Sequence, residues 1–322
     1  MQKQVSDKKK DPQRRMKMGL ANSTALATLL TVLGHTLLGF EQSLFQVVVA
    51  IVTGYSTSML LESVDAWADD RKPRFMGKGF LGWVQFMLSN HMTSITLSFL
   101  VYAGSKTSVM AFAVAAGIAS KYFFRVTVDG KKRHFFNPSN FGIALTLMVF
   151  PFVNTLPYQF TEWLSGRWDW LVTAIVFALG FRLNLMFTGR LLLISSWLLG
   201  FIAQGIIRSL VFGTPLAPEL MTMSGPAFIL FTFYMITDPM TSPESKKSQI
   251  IFGLSLAATY GLLLAMHIAN QIFLCVVLVT GFRGILLWWN ERARLKAFDT
   301  KMVSPLNARP ELELVHSGNT YR

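Results

Sequence analysis

Apolar runs separated by short polar stretches dominate this chain and predict a protein that crosses a membrane many times. A helix needs about 20 mostly apolar residues to span a bilayer. The pattern divides into ten apolar segments, at 19–40, 44–61, 81–103, 107–124, 138–153, 169–187, 191–212, 224–237, 249–266 and 268–288. We expect an all-α integral membrane protein with one transmembrane domain over 19–290, a basic tail at 1–18 and a polar tail at 291–322.

The eighth segment is the most informative part of the pattern. Its apolar run begins at Ser224-Gly225, ends at Thr237-Asp238-Pro239 and is too short to cross a bilayer straight. Glycine and proline, which interrupt helices, flank it on both sides. Short apolar segments with polar, unwound ends are typical of binding sites inside membrane proteins.

The distribution of basic residues predicts the topology. If the basic N-terminus is cytoplasmic, only three of the 30 basic residues fall on the outer side, namely Lys106, Arg167 and Arg208. Because lysine and arginine concentrate in cytoplasmic loops, we expect ten spans in a bacterial inner membrane with both termini cytoplasmic. Ten spans form two five-helix halves of opposite orientation, an inverted repeat. Each half is expected to have a broken third helix, at 89–94 and at 224–239.

Composition excludes several classes of function. Charged residues make up 15% of the chain, against about 25% in soluble domains. The net charge of +13 does not indicate a nucleic-acid partner, because the basic residues lie in short blocks between apolar runs. The single cysteine, Cys275, allows no intrachain disulfide and no cysteine-based metal site from this chain alone. Without a phosphate loop, nucleophile elbow or zinc signature, no catalytic residue or metal site is expected.

Two motifs resemble those of a known family. The first is Arg133-His134-Phe135-Phe136-Asn137-Pro138-Ser139-Asn140-Phe141-Gly142, and the second runs from Ser224-Gly225 through Thr237-Asp238-Pro239-Met240-Thr241. In this order and with ten segments, the chain resembles the NqrB/RnfD family of membrane electron-transport subunits over roughly residues 20–290. The stretches 33–42 and 234–239 look closer to one branch, the UnbU-type proteins encoded with enediyne biosynthesis genes.

The resemblance implies a flavin and membrane partners. Family members carry FMN as a phosphoester on a threonine, in a Ser/Thr-x-Ala-Thr motif of an outer loop after the fifth span. The corresponding loop here, 154–163, holds threonines but lacks that motif. We therefore expect no covalent FMN-threonine, and FMN or riboflavin bound non-covalently as the cofactor. The expected partners are the lipid bilayer and other membrane electron-transport or biosynthetic subunits.

The candidate site residues lie in the two motifs, and each also has a purely structural explanation. They are His134, Asn137, Asn140, Ser224, Gly225, Thr237 and Asp238. Asn137 and Ser224 suit helix N-caps, and Asp238 suits an ion pair with Lys246 or Lys247. Capping does not explain Asn140, one turn inside an apolar span. If a flavin is bound, we expect it between the two broken third segments.

Other polar residues are better explained by structural roles than by a functional site. His35 and His91 lie in apolar segments and could ligate haem, although such histidines are more often hydrogen-bonded between helices. The acidic group Glu62, Asp65, Asp69 and Asp70 is predicted to lie in a solvated, charge-balanced loop beside Arg71, Lys72 and Arg74.

Three functions remain open from the sequence. The first is an electron-transfer subunit with a flavin, or an UnbU-type accessory protein of enediyne biosynthesis. The second is a small-molecule permease or exporter on the same inverted-repeat scaffold. The third is a scaffold subunit without a ligand.

Overall fold

The computed structural model describes residues 12–40, 42–77, 79–128, 130–155 and 169–306, and the chain is helical over most of them. Several residues considered above lie outside this description. They are Glu41, the rest of the predicted flavin loop after Thr155, the tail before Pro12 and the tail after Leu306.

Helices occupy all ten predicted segments. The first five helices are α1 Pro12–Leu33, α2 Leu44–Ala68, α3 Gly79–Leu100, α4 Thr107–Phe123 and α5 Pro138–Val149. The later helices are α6 Asp169–Leu183, α7 Leu191–Phe212, α8 Leu216–Met221, α9 Pro226–Leu230, α10 Lys246–Ala265 and α11 Gln271–Leu306. A hairpin of β1 Arg125–Val128 and β2 Lys131–His134 pairs antiparallel between α4 and α5. The last helix continues past the predicted start of the polar tail at 291.

Length and composition make this an all-α membrane protein. Six described helices are long and apolar enough to cross a bilayer, or seven if the bent pair Leu216–Ser224 and Pro226–Met235 counts as one span. The six are α1, α2, α6, α7, α10 and α11. The helices α4 and α5 are apolar but shorter.

The predicted break in the third segment is wrong, because α3 is continuous from Gly79 to Leu100. Its polar side chains find acceptors without unwinding the helix. The hydroxyls of Thr93 and Ser94 donate to backbone carbonyls four residues earlier, at 2.9 Å each, and the Asn90 amide donates to Ser58 in α2. With no proline or glycine at 89–94, such back-bonding leaves the helix intact.

The predicted break in the eighth segment is confirmed. The helix axis turns by 64° between Leu216–Ser224 and Pro226–Met235. Pro226 begins the second piece, where its missing N–H and fixed φ suit a first helical turn. The segment then widens into a π-helical turn at Phe231–Met235 and is no longer helical at Asp238.

The basic loops come together on one face, called here the basic face. Asp65, near the end of α2, pairs with Arg125 of the hairpin at 2.6 Å. Asp69 pairs with Lys132 of the hairpin at 2.8 Å. Arg133 reaches Glu244, in the connection before α10, at 3.8 Å. The connections after α2, α4 and α9 therefore share this face.

Other connections meet at the opposite face. The Gln42 amide, between α1 and α2, donates to the carbonyls of Ser98 and Val101 at the end of α3. Tyr102 in the next connection pairs its backbone with Asn154, which follows α5. Successive connections in this part of the chain thus alternate between two faces.

The helices α1 and α6 end in the same unusual way. Each continues into a five-residue π-helical turn, Gly34–Leu38 after α1 and Asn184–Thr188 after α6. Each turn closes on a left-handed glycine, Gly39 with φ 71° and Gly189 with φ 66°. A residue without Cβ takes this conformation at little cost. The first helix of each predicted half therefore carries a matching terminus.

Candidate functional site

Asn137 joins the two sequence motifs. It caps α5, since its side-chain oxygen accepts the Asn140 backbone N–H at 3.0 Å, so the predicted N-cap is confirmed. The amide nitrogen of the same side chain donates to the Met235 carbonyl at 3.3 Å and to Oδ2 of Asp238 at 3.4 Å. One buried amide thus connects positions about a hundred residues apart in the chain.

Asp238 organises the turn that follows the broken segment. Its carboxylate accepts the Met240 backbone N–H at 3.1 Å and the Thr241 hydroxyl at 3.3 Å. Among the described residues it forms no ion pair, so the predicted pairing with Lys246 or Lys247 is absent there. The Asp238 carboxylate therefore lies beside the Asn137 amide and the Thr241 hydroxyl.

Side chains satisfy the carbonyls that the π-helical turn at 231–235 frees. The Asn184 amide and the Thr237 hydroxyl both donate to the Phe233 carbonyl, at 2.8 Å each. Thr237 therefore stabilises the turn, and the hydrogen of its hydroxyl is already donated. Asn184 was not predicted as a site residue, although an isolated asparagine near the end of an apolar run indicates such a role. Widened turns of this kind are frequent at functional sites.

Asn140 retains an unused acceptor. The side chain is 1% exposed, and its amide nitrogen donates to the Phe273 carbonyl in α11 at 2.9 Å. Its side-chain oxygen is buried with no hydrogen-bond partner in the described part of the chain. A buried acceptor left unpaired costs about 1–3 kcal/mol, which makes Asn140 a candidate to receive a ligand N–H or O–H.

His134 ends the hairpin beside this site. Burial lowers the pKa of His134 to about 4, the negative charge of Asp238 opposes that shift, and Lys121 and Arg125 add to it. The ring is therefore neutral at pH 7, with one nitrogen donating and the other accepting. Such a ring can recognise a polar ligand or hold a proton at low pH.

A cavity of 240 Å³ opens next to His134 on the basic face. Its polar lining consists of Arg133, His134, Ser242, Glu244 and Arg283. Its volume lies just below the roughly 300 Å³ at which typical ligand pockets begin. The cavity lies between the hairpin, the connection after Asp238 and α11.

Two arginines near the cavity were not predicted as site residues. Arg190 donates from Nε to the Ser242 hydroxyl at 2.9 Å. Arg283 donates to the Thr241 carbonyl. The signal for Arg283 was available, since a charged residue inside an apolar span is by itself a functional indication.

Ser224 and Gly225 lie at the other end of the broken segment. Ser224 and Asp238 are fourteen residues apart along the chain, and most of the residues between them are helical. At 1.5 Å per residue this corresponds to roughly 20 Å. The Ser224 side chain is exposed and donates to the Met221 carbonyl, while Gly225 is the N-cap. The predicted cap by Ser224 is therefore wrong, and the two residues cannot line one small pocket with Asp238.

The cavity near that end is too small for a flavin. It measures about 20 Å³, and apolar side chains such as Leu30, Phe99 and Ile229 dominate its lining. This is the space of a single water molecule at most. The structure thus brings together His134, Asn137, Asn140, Thr237 and Asp238 and leaves Ser224 and Gly225 apart.

The acidic group is divided between α2 and the connection after it, since Glu62 and Asp65 lie in the last two turns of the helix and Asp69 and Asp70 follow it, exposed. Glu62 is 0% exposed, and its carboxylate pairs with Arg71 at 2.6 Å and with Arg74 at 2.5 Å. Asp65 bridges Arg71 and Arg125, at 2.6 Å to each. Hydrogen bonds to Glu62 raise the pKa of both Arg71 and Arg74. The prediction was wrong for Glu62 because Arg71 and Arg74, in the connection after α2, fold back onto its carboxylate.

The two intramembrane histidines are hydrogen-bonded. His91 contacts the Thr28 hydroxyl at 3.0 Å through Nε2 and the Tyr55 hydroxyl at 2.9 Å through Nδ1. Nδ1 of His35 lies 2.8 Å from the Thr31 carbonyl. His91 therefore links three helices, which is the structural role expected of a histidine hydrogen-bonded between helices.

The fold and the site together define a polytopic all-α membrane protein with a polar site at its basic face. No protein-family model matches the chain, and no curated protein matches it.

Proposed function

We propose that this protein is a membrane subunit for electron transfer, of the NqrB/RnfD type, that binds FMN or riboflavin non-covalently beside Asn137 and Asp238. The observation that carries this proposal is the contact between the two motifs, with the Asn137 amide on the Met235 carbonyl and the Asp238 carboxylate. The resemblance places both motifs in one functional unit, and this contact supports that grouping.

The residues present suit the polar edge of a flavin. That edge carries one imide N–H between two carbonyls, so it needs an acceptor flanked by donors. The unpaired side-chain oxygen of Asn140 offers an acceptor, and the neutral His134 ring offers a donor. A bound flavin would supply one- and two-electron transfer. This chain's residues would hold the ring and keep its edge away from water.

The cavity supports this assignment only as the mouth of the site. At 240 Å³ it is smaller than a three-ring flavin with its side chain. Binding therefore requires the connection at 239–244 to move outward. That connection contains two prolines, Pro239 and Pro243. An outward movement would break the contacts of three arginines with it, at Thr241, Ser242 and Glu244.

The proposed architecture is ten spans in two inverted five-helix halves. The alternation of connections between two faces supports it, and so do the matching ends of α1 and α6. The small number of basic residues on the opposite face supports a bacterial inner membrane with both termini cytoplasmic. Other membrane electron-transport subunits are the proposed partners.

The test is a spectrum of the detergent-purified protein, with any co-encoded partners, before and after acid precipitation. Flavin bands that move to the supernatant support the proposal. Flavin left in the pellet contradicts it by indicating a covalent bond, and a colourless protein contradicts it outright. The variant Asn140→Ala should lose flavin, whereas the matched control Ser224→Ala should retain it, because Ser224 is exposed at the far end of the segment.

A second candidate is a small-molecule permease or exporter. The 64° bend in the span at 216–235 favours it, because broken helices with polar ends build the central sites of transporters. A colourless protein whose export activity is lost in Asp238→Asn at unchanged protein level would support this function. Retention of activity in both Asp238→Asn and Asn140→Ala would instead indicate a scaffold. Neighbouring enediyne biosynthesis genes would indicate the UnbU-type accessory role.

A further inference from the structure

Arginine side chains converge on the cavity of the basic face from three separate elements. Arg133 comes from the hairpin and Arg283 from α11, and both line the cavity. Arg190, just before α7, donates to the Ser242 hydroxyl, and Ser242 is also part of the lining. Arg283 lies within electrostatic range of both Arg133 and Arg190. Three like charges therefore share a small space.

The nearby carboxylates do not neutralise this cluster. Glu244 is 76% exposed and approaches Arg133 only at 3.8 Å, so solvent screens that pair. Neither Arg190 nor Arg283 forms an ion pair with any described residue. Asp238 and Glu244 act on Arg190 from a distance, which leaves three guanidinium groups facing two carboxylates.

The burial of Arg190 makes this imbalance costly. Arg190 is 6% exposed, and the one hydrogen bond described for its side chain uses Nε. Arg283 sits in a helix that is apolar enough to span a membrane, and its one described bond goes to a backbone carbonyl. Charges in such places are stable when a counter-charge pairs with them. The chain leaves guanidinium donors of both residues available.

We propose that the cavity binds a phosphate group, held by Arg133, Arg190 and Arg283 together. Guanidinium groups bind phosphate through parallel N–H donors, and a tetrahedral phosphate has enough oxygens to meet three such groups at once. A phosphate fits easily within 240 Å³. The phosphate belongs either to a soluble phosphate ester or to a phospholipid head group at the membrane surface. The proposal does not depend on flavin binding.

The experiment uses the full-length protein, purified in detergent and stripped of lipid. Its thermal unfolding is measured against inorganic phosphate, with chloride at matched ionic strength as the reference. Native mass spectrometry measures binding of short-chain phosphatidylglycerol in parallel, with phosphatidylcholine for comparison. The variants are Arg283→Gln and the half-exposed Arg133→Gln, which removes less buried contact and should fold. The matched control is Lys247→Gln, which removes one exposed charge from the same face without touching the cavity.

We expect saturable binding that each arginine variant weakens about tenfold, since each loses a charge-assisted hydrogen bond. Lys247→Gln should stay within about twofold of the wild type. Saturation by inorganic phosphate identifies a soluble ester as the source, whereas binding of phosphatidylglycerol alone identifies a lipid. Absence of saturable binding of either probe overturns the proposal. Equal weakening in Lys247→Gln also overturns it, because the attraction would then be general surface charge.

Discussion

At the scale of single residues, Asn137 performs two tasks that substitution can separate. Serine at this position keeps a helix cap but has no amide to reach Met235 and Asp238, whereas alanine loses both. We expect Asn137→Ala to destabilise the protein by about 1–2 kcal/mol more than Asn137→Ser. Thermal unfolding in detergent measures this difference. Both variants should lose bound flavin. If Asn137→Ser retained flavin, the contact between the two motifs would not be required for flavin binding.

Glu62 is the buried acid whose loss should be felt most. Replacing it with glutamine leaves Arg71 and Arg74 without their shared counter-charge. Breaking a buried ion pair costs about 3–5 kcal/mol, and we expect about 2–3 kcal/mol here because both arginines keep partial access to water. The matched control, Asp69→Asn, removes a solvent-accessible partner of Lys132 and should change stability far less, because solvent screens that pair. Equal effects in the two variants would show that burial of Glu62 adds nothing.

His134 should make stability depend on pH in one direction. Its pKa of about 4 in the folded protein lies below the value of about 6.5 for an unfolded histidine. Between these two pH values the unfolded chain binds more protons than the folded protein. The stability that His134 contributes is therefore complete above pH 6.5 and is lost as the pH falls toward 4. In His134→Gln the melting temperature should fall less steeply between pH 7 and pH 4.5 than in the wild type. Parallel curves would contradict the assignment.

At the scale of elements, α4 and α5 cross with their backbones almost in contact. A Cβ added at Gly142 would lie 2.5 Å from the Ala113 carbonyl oxygen, which cannot move without α4. We expect Gly142→Ala to cost about 1–3 kcal/mol through overpacking. At Gly205 an added Cβ would meet only side-chain atoms, at 3.4 Å or more. The control Gly205→Ala should therefore leave the melting temperature nearly unchanged, and a similar loss in both variants would argue against the close crossing.

The third segments illustrate what an apolar pattern specifies and what it leaves open. At 224–239 the sequence contains glycine and prolines, and the predicted break exists because these residues change the backbone itself. At 89–94 the sequence contains polar side chains but no glycine or proline, and the helix continues because the hydroxyls of Thr93 and Ser94 bond within it. Polar residues in an apolar run thus indicate bonding between helices, whereas proline and glycine indicate a break.

The site was predictable in part, for a related reason. Capping by Asn137 is a local effect, so the residues around it were sufficient to predict it. The joining of Asn137 to Asp238, the burial of Glu62 and the approach of Arg190 to Ser242 depend on packing between distant segments. The separation of Ser224 from Asp238 follows from the length of one helix, and a count of residues at 1.5 Å each would have revealed it.

At the scale of the whole molecule, the number of crossings can be measured with single cysteines. The natural Cys275 is buried, so it should react little with a membrane-impermeant maleimide. In intact cells we expect labelling of Lys106→Cys and Ala217→Cys but not of Lys72→Cys or Lys247→Cys, all exposed positions. Lysis before labelling is the control that exposes all four. Equal labelling of Ala217→Cys and Lys247→Cys in intact cells would mean that the bent pair turns back within the membrane.

The matching ends of α1 and α6 bear on the ancestry of the molecule. The two turns share their length and a closing left-handed glycine, but the residues within them, Gly-His-Thr-Leu-Leu and Asn-Leu-Met-Phe-Thr, have no position in common. If a five-helix unit had been duplicated, its two copies would keep this shared helix ending after their sequences had diverged. Homology between the two halves is therefore better tested by superposing their backbones than by aligning their sequences. The same holds for any distant relative of the chain.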